Sequence, residues 1–549
     1  MASSHQQVRS VADRYWNEVL VLKPLLATQI GDERFDDQLP DLTDEGREKA
    51  FAVHREALED AEGFALESLV REDRATLAMV TALARIELDA LEQRFDLFDV
   101  LSHMWGPGTL LATLGSLQQV DSEERLERYV ARLGAFPEYI EGAVELIAEA
   151  AACQLPTRSV VARTIAQVEH LLDADPASSP AVKAVGEDEA KGRGRILDVL
   201  QAAVFPAFAR YLESVRSVYD RAPEEFGLCA HRRGEEMYAA KIRAWTSTDM
   251  EPKEIHEFGL SELAQIDLER AEIADRLGYP SAERALTAAQ ERGETIADSR
   301  EEVLHLAEQQ VERSWEACHA FFGRLPKNNC EVRAIDPSRE GDVLDHYFPP
   351  TADGSRPGIY YVRTVPGRSV HSLASTTYHE ANPGHHLQMS LQQEASERSA
   401  IRRFGGELVA SAFVEGWALY SERLADEMGL FVNGYEQLGM LDMQALRAVR
   451  LVVDTGIHAR GWTRERALKE MAQTGLGAGE IEIEVDRYAA DPAQALSYKL
   501  GQHAIEQLRE RAREGEGKAF VLKDFHDRLM SLGSLPLDTL AAELERGDD

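Results

Sequence analysis

The fold and the candidate site both depend on one stretch of sequence, Tyr378-His379-Glu380-Ala381-Asn382-Pro383-Gly384-His385-His386-Leu387-Gln388. Its His-Glu pair is typical of the zinc-peptidase helix H-E-x-x-H, in which two histidines bind the metal and the glutamate moves a proton. The second histidine of that motif would fall at position 383, which is a proline. The stretch is therefore related to H-E-x-x-H but does not match its spacing.

A regular helix would forbid a shared metal here. His379 and His385 are six residues apart, which on a helix means about 240° around and about 9 Å along the axis. His386 returns to the face of His379, but about 10.5 Å away, too far for two zinc bonds of about 2.0–2.1 Å. Pro383 cannot donate to the carbonyl of His379 and its ring clashes there, while Gly384 adds backbone freedom. We therefore predict a bulge or break that lets His379 and His385 bind one ion, with His386 as the alternative ligand or a substrate contact.

The composition limits the function classes. Acidic residues exceed basic ones, giving a net charge of −36 that repels nucleic acid and anionic membrane surfaces. The 4 cysteines lie far apart and form neither a zinc motif nor a disulfide framework. Neither a signal-like start nor a membrane-spanning run is evident. The expectation is a cytoplasmic protein without nucleic-acid or membrane partners, whose oligomeric state the sequence leaves unknown.

Helical periodicity dominates the chain, which predicts a mainly α fold large enough for a substantial core. We expect a helical N-terminal region, 1–326, to form one wall of a cleft, and 327–549 to carry the metal, both within one continuous structural unit. Strand-like residues near 328–364 predict a small sheet or hairpin. Its segment 359–364 is a candidate platform for an extended substrate, with Tyr360, Tyr361 and Arg363 as contacts. A hairpin that only closes the core is an equal alternative.

A hydrolytic zinc site needs a third ligand and an open position. Glu415 is the candidate ligand, on a helix that can pack against the histidine helix, and Glu422 lies on the same face, where it would orient a histidine. Glu380 is the candidate general base. The oxyanion needs a further donor, for which Tyr498 and His458 are candidates, although each alone is more often structural.

Several further motifs accompany the histidine stretch nearly end to end: Pro24-Leu25-Leu26-Ala27-Thr28, Gly31-Asp32, Leu39-Pro40-Asp41-Leu42, Asp353-Gly354-Ser355-Arg356-Pro357-Gly358, Glu415-Gly416-Trp417-Ala418, Asp454-Thr455-Gly456-Ile457-His458, Gln494-Ala495-Leu496-Ser497-Tyr498-Lys499, Phe525-His526-Asp527 and Gly533-Ser534-Leu535-Pro536-Leu537. With them the sequence resembles the bacterial family of unknown function DUF885, placed among relatives of the glutamate-zincin peptidases.

This resemblance implies a largely helical, zincin-like metallopeptidase fold with a deep cleft. It also implies a metal held by His379, a histidine of the 385–386 pair and Glu415. Two residues depart from the family pattern: Ala493 replaces a usual glycine, and Arg363 replaces a smaller polar residue. Arg363 would be able to receive a substrate carboxylate.

The main hypothesis is a zinc-dependent hydrolase of short peptides, with one Zn²⁺ per chain and Glu380 as general base. A second hypothesis keeps the metal and replaces the peptide by another amide or C–N bond. A third is a helical binding protein without enzymatic activity, whose histidines only satisfy the core. Metal content separates the third hypothesis from the first two.

Overall fold

Amphipathic segments fold into helices along nearly the whole chain, and several of these helices begin at a capping side chain, such as Ser3, Thr43 and Ser299. The computed structural model describes residues 3–118, 120–186, 189–335, 337, 344–351, 356–474 and 476–546. Helices make up 73% of the structure, which confirms the mainly α class. The zincin-like comparison and the deep cleft stay predictions.

The helices before the histidine stretch, within the described residues, are α1 (Ser4–Leu22), α2 (Pro24–Gln29), α3 (Asp44–Glu62), α4 (Arg71–Gln93), α5 (Asp96–Asp99), α6 (Pro107–Leu117), α7 (Glu123–Gly134), α8 (Phe136–Cys153), α9 (Arg158–Asp173), α10 (Pro180–Lys183), α11 (Ala190–Val199), α12 (Phe205–Tyr219), α13 (Gly234–Thr246), α14 (Pro252–Arg276), α15 (Ala282–Glu291) and α16 (Arg300–Phe321). Those that carry or follow the stretch are α17 (Leu373–Glu380), α18 (His385–Glu394), α19 (Ala400–Phe404), α20 (Gly406–Val409), α21 (Ser411–Glu427), α22 (Gly434–Arg460), α23 (Arg464–Met471), α24 (Ala478–Ala490), α25 (Ser497–Glu516), α26 (Leu522–Leu532) and α27 (Leu537–Arg546).

Two small sheets precede the histidine stretch. They contain β1 (Ile296–Ala297), β2 (Glu331–Ala334), β3 (His346–Phe348), β4 (Ile359–Val362) and β5 (Arg368–Ser369). Strand β4 lies in the centre of its sheet, parallel to β2 and antiparallel to β3, while β1 pairs with β5. The predicted sheet near 328–364 is confirmed. Residues 353–355 of the predicted turn lie outside the described residues.

The largest core cluster joins both ends of the chain. It contains Val8 and Trp16 of α1, Trp417 of α21, and Leu537 and Leu540 of α27. A second cluster is built from the N-terminal helices α5 to α12, with Phe136 and Phe208 among its buried aromatic residues. The first cluster crosses the expected boundary at 326/327, so the two regions share one core.

Helices α21 and α25 approach each other closely at two glycines. A Cβ atom on Gly416 would lie 2.3 Å from the carbonyl carbon of Gly501, and one on Gly501 would lie 1.6 Å from the carbonyl oxygen of Ala412. Only glycine permits this contact, because real Cβ atoms do not approach other atoms so closely. The contact brings the start of α25 beside Glu415.

Among the described residues, a helix with the length and apolar character needed to cross a bilayer is not found.

Candidate metal centre

The helix that carries the His-Glu pair breaks where the proline and glycine predict. Helix α17 ends at Glu380 and α18 begins at His385, and the Asn382–Pro383 peptide bond between them is cis. A Cβ atom on Gly384 would lie 1.9 Å from the carbonyl oxygen of His379. The chain can therefore turn back this tightly only with glycine at position 384, and the predicted break is confirmed.

Helix α21 supports the break from one side. The indole Nε1 of Trp417 donates to the carbonyl oxygen of Pro383 at 2.9 Å, and the Ser421 hydroxyl donates to the same oxygen at 3.2 Å. Pro383 lies in the short irregular segment between α17 and α18, and these two donors satisfy its carbonyl oxygen. The two bonds fix α21, and with it Glu415, against the histidine stretch.

His379, His385 and Glu415 converge on one point. The Oε2 atom of Glu415 lies 3.6 Å from Nε2 of His379 and 3.4 Å from Nε2 of His385. One possible ligand atom from each residue lies within 4.8 Å of the other two. The side chains of His385 and Glu415 are 10% and 20% exposed, so the point of convergence is open to solvent on one side.

This donor set fits a zinc ion. Ligand atoms about 2.0–2.1 Å from a tetrahedral zinc lie about 3.3–3.4 Å apart, close to the two distances from Glu415. Oε2 of Glu415 is buried and has no hydrogen-bond partner, as expected of an atom that faces a cation. Burial alone would raise the pKa of this carboxyl, but the two imidazoles hold it well below its usual value. Glu415 is therefore an anionic candidate ligand beside two candidate nitrogen ligands.

Glu422 orients the first histidine. Its Oε1 atom lies 2.9 Å from Nδ1 of His379, and its Oε2 atom accepts from the Ser375 hydroxyl at 2.8 Å. Burial opposes ionisation of Glu422, but Arg447, 3.7 Å from Oε1, and the two hydrogen bonds lower the carboxyl pKa below its usual value. An ionised Glu422 accepts a hydrogen bond from Nδ1–H of His379. The ring proton is thereby held on Nδ1, and the lone pair of Nε2 faces Glu415.

Glu380 is the last residue of α17 and is 9% exposed. Within the described part of the chain, none of the hydrogen bonds engages its carboxylate. Burial, opposed by the charge of His385 and reinforced by that of Glu415, raises the pKa of this carboxyl to about 8. A cation bound by the triad would lower this pKa, because positive charge favours the ionised form.

Tyr498, at the start of α25, forms a wall of the site. Its ring stacks on that of His379 with 6.3 Å between centroids, and the guanidinium carbon of Arg450 lies 4.8 Å from the tyrosine ring. Burial and the nearby Glu415 charge raise the pKa of the phenol, so Tyr498 remains a hydrogen-bond donor. The structure thus brings Tyr498 to the triad, as the sequence predicts.

The structure separates His386 from the triad. Its Nε2 atom lies 2.9 Å from the carbonyl oxygen of Asn328, and its Nδ1 atom lies 3.1 Å from the Tyr347 hydroxyl. Nε2 must carry the proton that is donated to Asn328, so it has no lone pair for a metal. His386 is 2% exposed, which also removes it from direct substrate contact. The alternative in which His386 is the ligand is therefore wrong, and His385 is the histidine of the pair that joins the candidate cluster.

His458 also lies elsewhere. Its Nδ1 atom accepts from the backbone N–H of Leu228 at 3.2 Å, and its Nε2 atom donates to the carbonyl oxygen of Tyr488 at 2.9 Å. Burial lowers the pKa of the imidazole to about 4. Both ring nitrogens are occupied by backbone groups, so His458 does not serve as the oxyanion donor and its prediction as a catalytic residue is corrected.

The strand predicted to hold the substrate is not available. Both edges of β4 are paired, with β2 and with β3, so an extended peptide cannot add to it. Tyr360 is 0% exposed with its hydroxyl on Asp345, and Tyr361 stacks on His346. The alternative in which these strands close the core fits the structure.

Arg363 is engaged within the protein. Its backbone N–H donates to Oδ1 of Asp345 at 2.8 Å, and its guanidinium lies 3.2 Å from a carboxylate oxygen of Glu480. The carboxylate that the sequence assigns to a substrate is here supplied by Glu480.

Sequence reasoning missed three charged residues near the triad: Arg447, Arg450 and Glu407. The two arginines interrupt the apolar run 445–453 of α22, and this is the signal that could have identified them, since an arginine on a buried helix face needs a charged or aromatic partner. Glu407 gives no such signal, because it occupies a four-residue helix whose position depends on tertiary packing.

The chain matches a protein family in sequence and resembles solved proteins in structure. The model of the family described as "Bacterial protein of unknown function (DUF885)" matches residues 24–544. The crystal structure of a candidate lipoprotein from Colwellia psychrerythraea is 26% identical, with a TM-score of 0.92 over 100% of this chain and 99% of that one. A candidate lipoprotein of unknown function from Shewanella oneidensis is 21% identical, with a TM-score of 0.74 over 99% of both chains. No curated protein matches the sequence.

Proposed function

This chain belongs to the bacterial DUF885 family of unknown function, and we propose that it is a zinc-dependent hydrolase of short peptides. The observation that carries the proposal is the convergence of His379, His385 and Glu415, with distances of 3.4 and 3.6 Å from the glutamate oxygen to the two imidazole nitrogens. Two histidines and one carboxylate form a donor set used by hydrolytic zinc sites, which leave one position open.

The surrounding residues support a hydrolytic centre over a structural one. A structural zinc site is closed by four protein ligands, whereas the described residues supply three at this point. Glu380 directly follows the candidate ligand His379, and the charges of His385 and Glu415 act on its carboxylate. A carboxylate next to an open metal position is the arrangement expected of a general base.

When bound, zinc would supply Lewis-acid chemistry that polarises a scissile carbonyl and acidifies a water molecule. Glu380 takes the proton of the attacking water and delivers it to the leaving nitrogen. The phenol of Tyr498, stacked on His379, donates to the oxygen on which negative charge develops. Glu422 keeps the His379 ring in the orientation that points Nε2 toward Glu415, so that both residues would hold the ion.

The test is metal analysis followed by a screen for hydrolysis, on protein purified without a histidine tag. We expect about one zinc per chain, cleavage within a library of short peptides, and loss of cleavage after chelation that zinc restores. A parallel set of non-peptide amides identifies the substrate class. Protein that neither contains zinc nor gains thermal stability from added zinc would overturn the proposal and favour a binding protein without enzymatic activity.

A further inference from the structure

A recess is lined by residues that lie close in the chain to two of the candidate ligands. Met389 on α18 and Val414 on α21 line it together with Glu407 on α20. Met389 lies four residues after His385 on the same helix, so both side chains share one face. Val414 directly precedes Glu415. The recess therefore begins about one helical turn from two of the candidate ligands.

Glu407 is the acidic group of this recess. The residue is exposed, so its carboxylate is accessible to a ligand. The surrounding protein raises the pKa of this carboxyl. The charge of His385 lowers the pKa and the charge of Glu415 raises it, so Glu407 lies within electrostatic range of both residues. Glu407 lines the recess, so its carboxylate is open to water and bordered by protein.

No lysine, arginine or histidine among the described residues forms an ion pair with Glu407. Arg403 also lines the recess, but its Nε atom donates to the carbonyl oxygen of Gln393 at 2.9 Å and its guanidinium lies 4.8 Å from the Phe404 ring. The charges that act on Arg403 are those of Glu397 and Arg9 rather than those of the triad. Arg403 therefore belongs to the outer end of the recess and does not neutralise Glu407.

The size of the recess limits what Glu407 can bind. Its volume is about 40 Å³, which accommodates a small polar group with one or two water molecules. The lining combines apolar residues such as Leu26, Met389 and Val414 with polar residues such as Gln392 and Ser534. An unpaired carboxylate between such walls favours a compact cation that can donate several hydrogen bonds, and a primary ammonium has this chemistry.

We infer that Glu407 binds a primary ammonium group of the substrate beside the metal centre. The inference rests on the proposed function, because it assigns the recess to the substrate of that centre. The ammonium has two possible sources, the free amino terminus of a short peptide and the side chain of a lysine. The first source would make the protein act near the amino terminus of its substrates, and the second would make it select lysine.

The test measures binding rather than turnover. Protein carrying Glu380→Gln, loaded with zinc, keeps peptides intact, and retention after ultrafiltration is quantified by mass spectrometry. Three tripeptide libraries are compared: one without lysine or arginine and with free amino termini, the same library acetylated at its amino termini, and an acetylated library containing lysine. The matched variants are Glu407→Gln and Glu213→Gln, the latter an exposed glutamate on α12 outside the recess.

We expect acetylation to lower retention by about tenfold or more, since it removes one charge-assisted contact. Glu407→Gln should abolish that difference, and Glu213→Gln should preserve it. Strong retention of the acetylated lysine library assigns the ammonium to a side chain, and weak retention assigns it to the amino terminus. Equal retention of free and acetylated libraries, with lysine adding nothing, would overturn the inference, as would loss of the difference in Glu213→Gln.

Zinc content is measured on the same samples. One outcome is that the protein binds zinc and cleaves peptides when Glu380 is present, but retains peptides with and without ammonium groups equally. This outcome would overturn the inference about Glu407 and leave the proposed function intact. The opposite outcome is that the protein contains no zinc but still retains ammonium-bearing peptides through Glu407. This outcome would overturn the proposed function and leave the assignment of an ammonium-binding recess intact.

Discussion

Nδ1 of His379 donates to Oε1 of Glu422 across 2.9 Å, and this bond makes the opposite nitrogen of the ring available to a metal. Glu422 is 0% exposed and also accepts from Ser375, so its position is fixed by the core. The orientation of a candidate ligand is thus determined from within the protein rather than by the metal.

Glu422→Gln should weaken zinc binding by about 10–100-fold, because the amide no longer provides the charge that holds the Nδ1 proton. Competition with a chromophoric chelator measures the affinity. Glu427→Gln, on the exposed end of the same helix, is the control and should bind zinc normally. Unchanged affinity in Glu422→Gln would show that the bond does not position His379.

Glu380→Gln should retain zinc and lose hydrolysis by about 10²–10⁴-fold, because it removes the group that accepts the proton of water. Metal content and peptide cleavage are measured on the same preparation. Full activity would remove Glu380 as the base, whereas loss of both zinc and activity would indicate a structural defect.

The adjacent histidines give a matched pair. His385→Ala should weaken zinc binding by more than the about 10–100-fold expected for Glu422→Gln. The reason is that His385→Ala removes a ligand, whereas Glu422 only orients one. His386→Ala should bind zinc normally but lower the free energy of unfolding by about 1–3 kcal/mol, because the Asn328 carbonyl and the Tyr347 hydroxyl lose a buried partner. Chelator competition and denaturant unfolding give the two quantities. The reverse pattern would assign the metal to His386.

Gly384→Ala should destabilise the protein by about 1–3 kcal/mol or more, since the added methyl group would overlap the carbonyl of His379. Gly515→Ala serves as its control: that glycine is exposed on α25 with nothing near the added atom, and alanine there should be neutral or slightly stabilising. Thermal unfolding compares the two. Similar melting temperatures for both variants would contradict the tight turn.

Tyr498→Phe should leave zinc content and KM unchanged while it lowers kcat by about 10–10³-fold, because the lost donor acts only on developing charge. Steady-state kinetics on a cleaved library peptide separates the two parameters. A rise in KM with constant kcat would instead assign the hydroxyl to substrate binding.

The sequence was informative where local rules apply. Pro383 and Gly384 exclude a continuous helix, so the break follows from the backbone alone. The helical patterning also identifies the helix that carries Glu415 and Glu422, on which seven residues bring both side chains to one face. These features depend on spacing within one or two elements, which a single sequence records.

The sequence was uninformative where partners come from distant segments. His458 is satisfied by the backbone of Leu228 and Tyr488, and β4 is central because β2 and β3 both pair with it. No periodicity around His458 or β4 encodes these neighbours. The tertiary fold also decides which of His385 and His386 meets Glu415, since adjacent residues on a helix point about 100° apart.

The core that contains both Val8 and Leu540 has a practical meaning for expression. A fragment limited to 327–549 would keep every candidate ligand yet lack the apolar partners that α1, α3 and α4 provide. We expect it to aggregate when produced alone and to recover solubility when co-expressed with 1–326, because the two halves carry complementary apolar surfaces. The molecule would then behave as a split protein whose zinc binding reports reassembly.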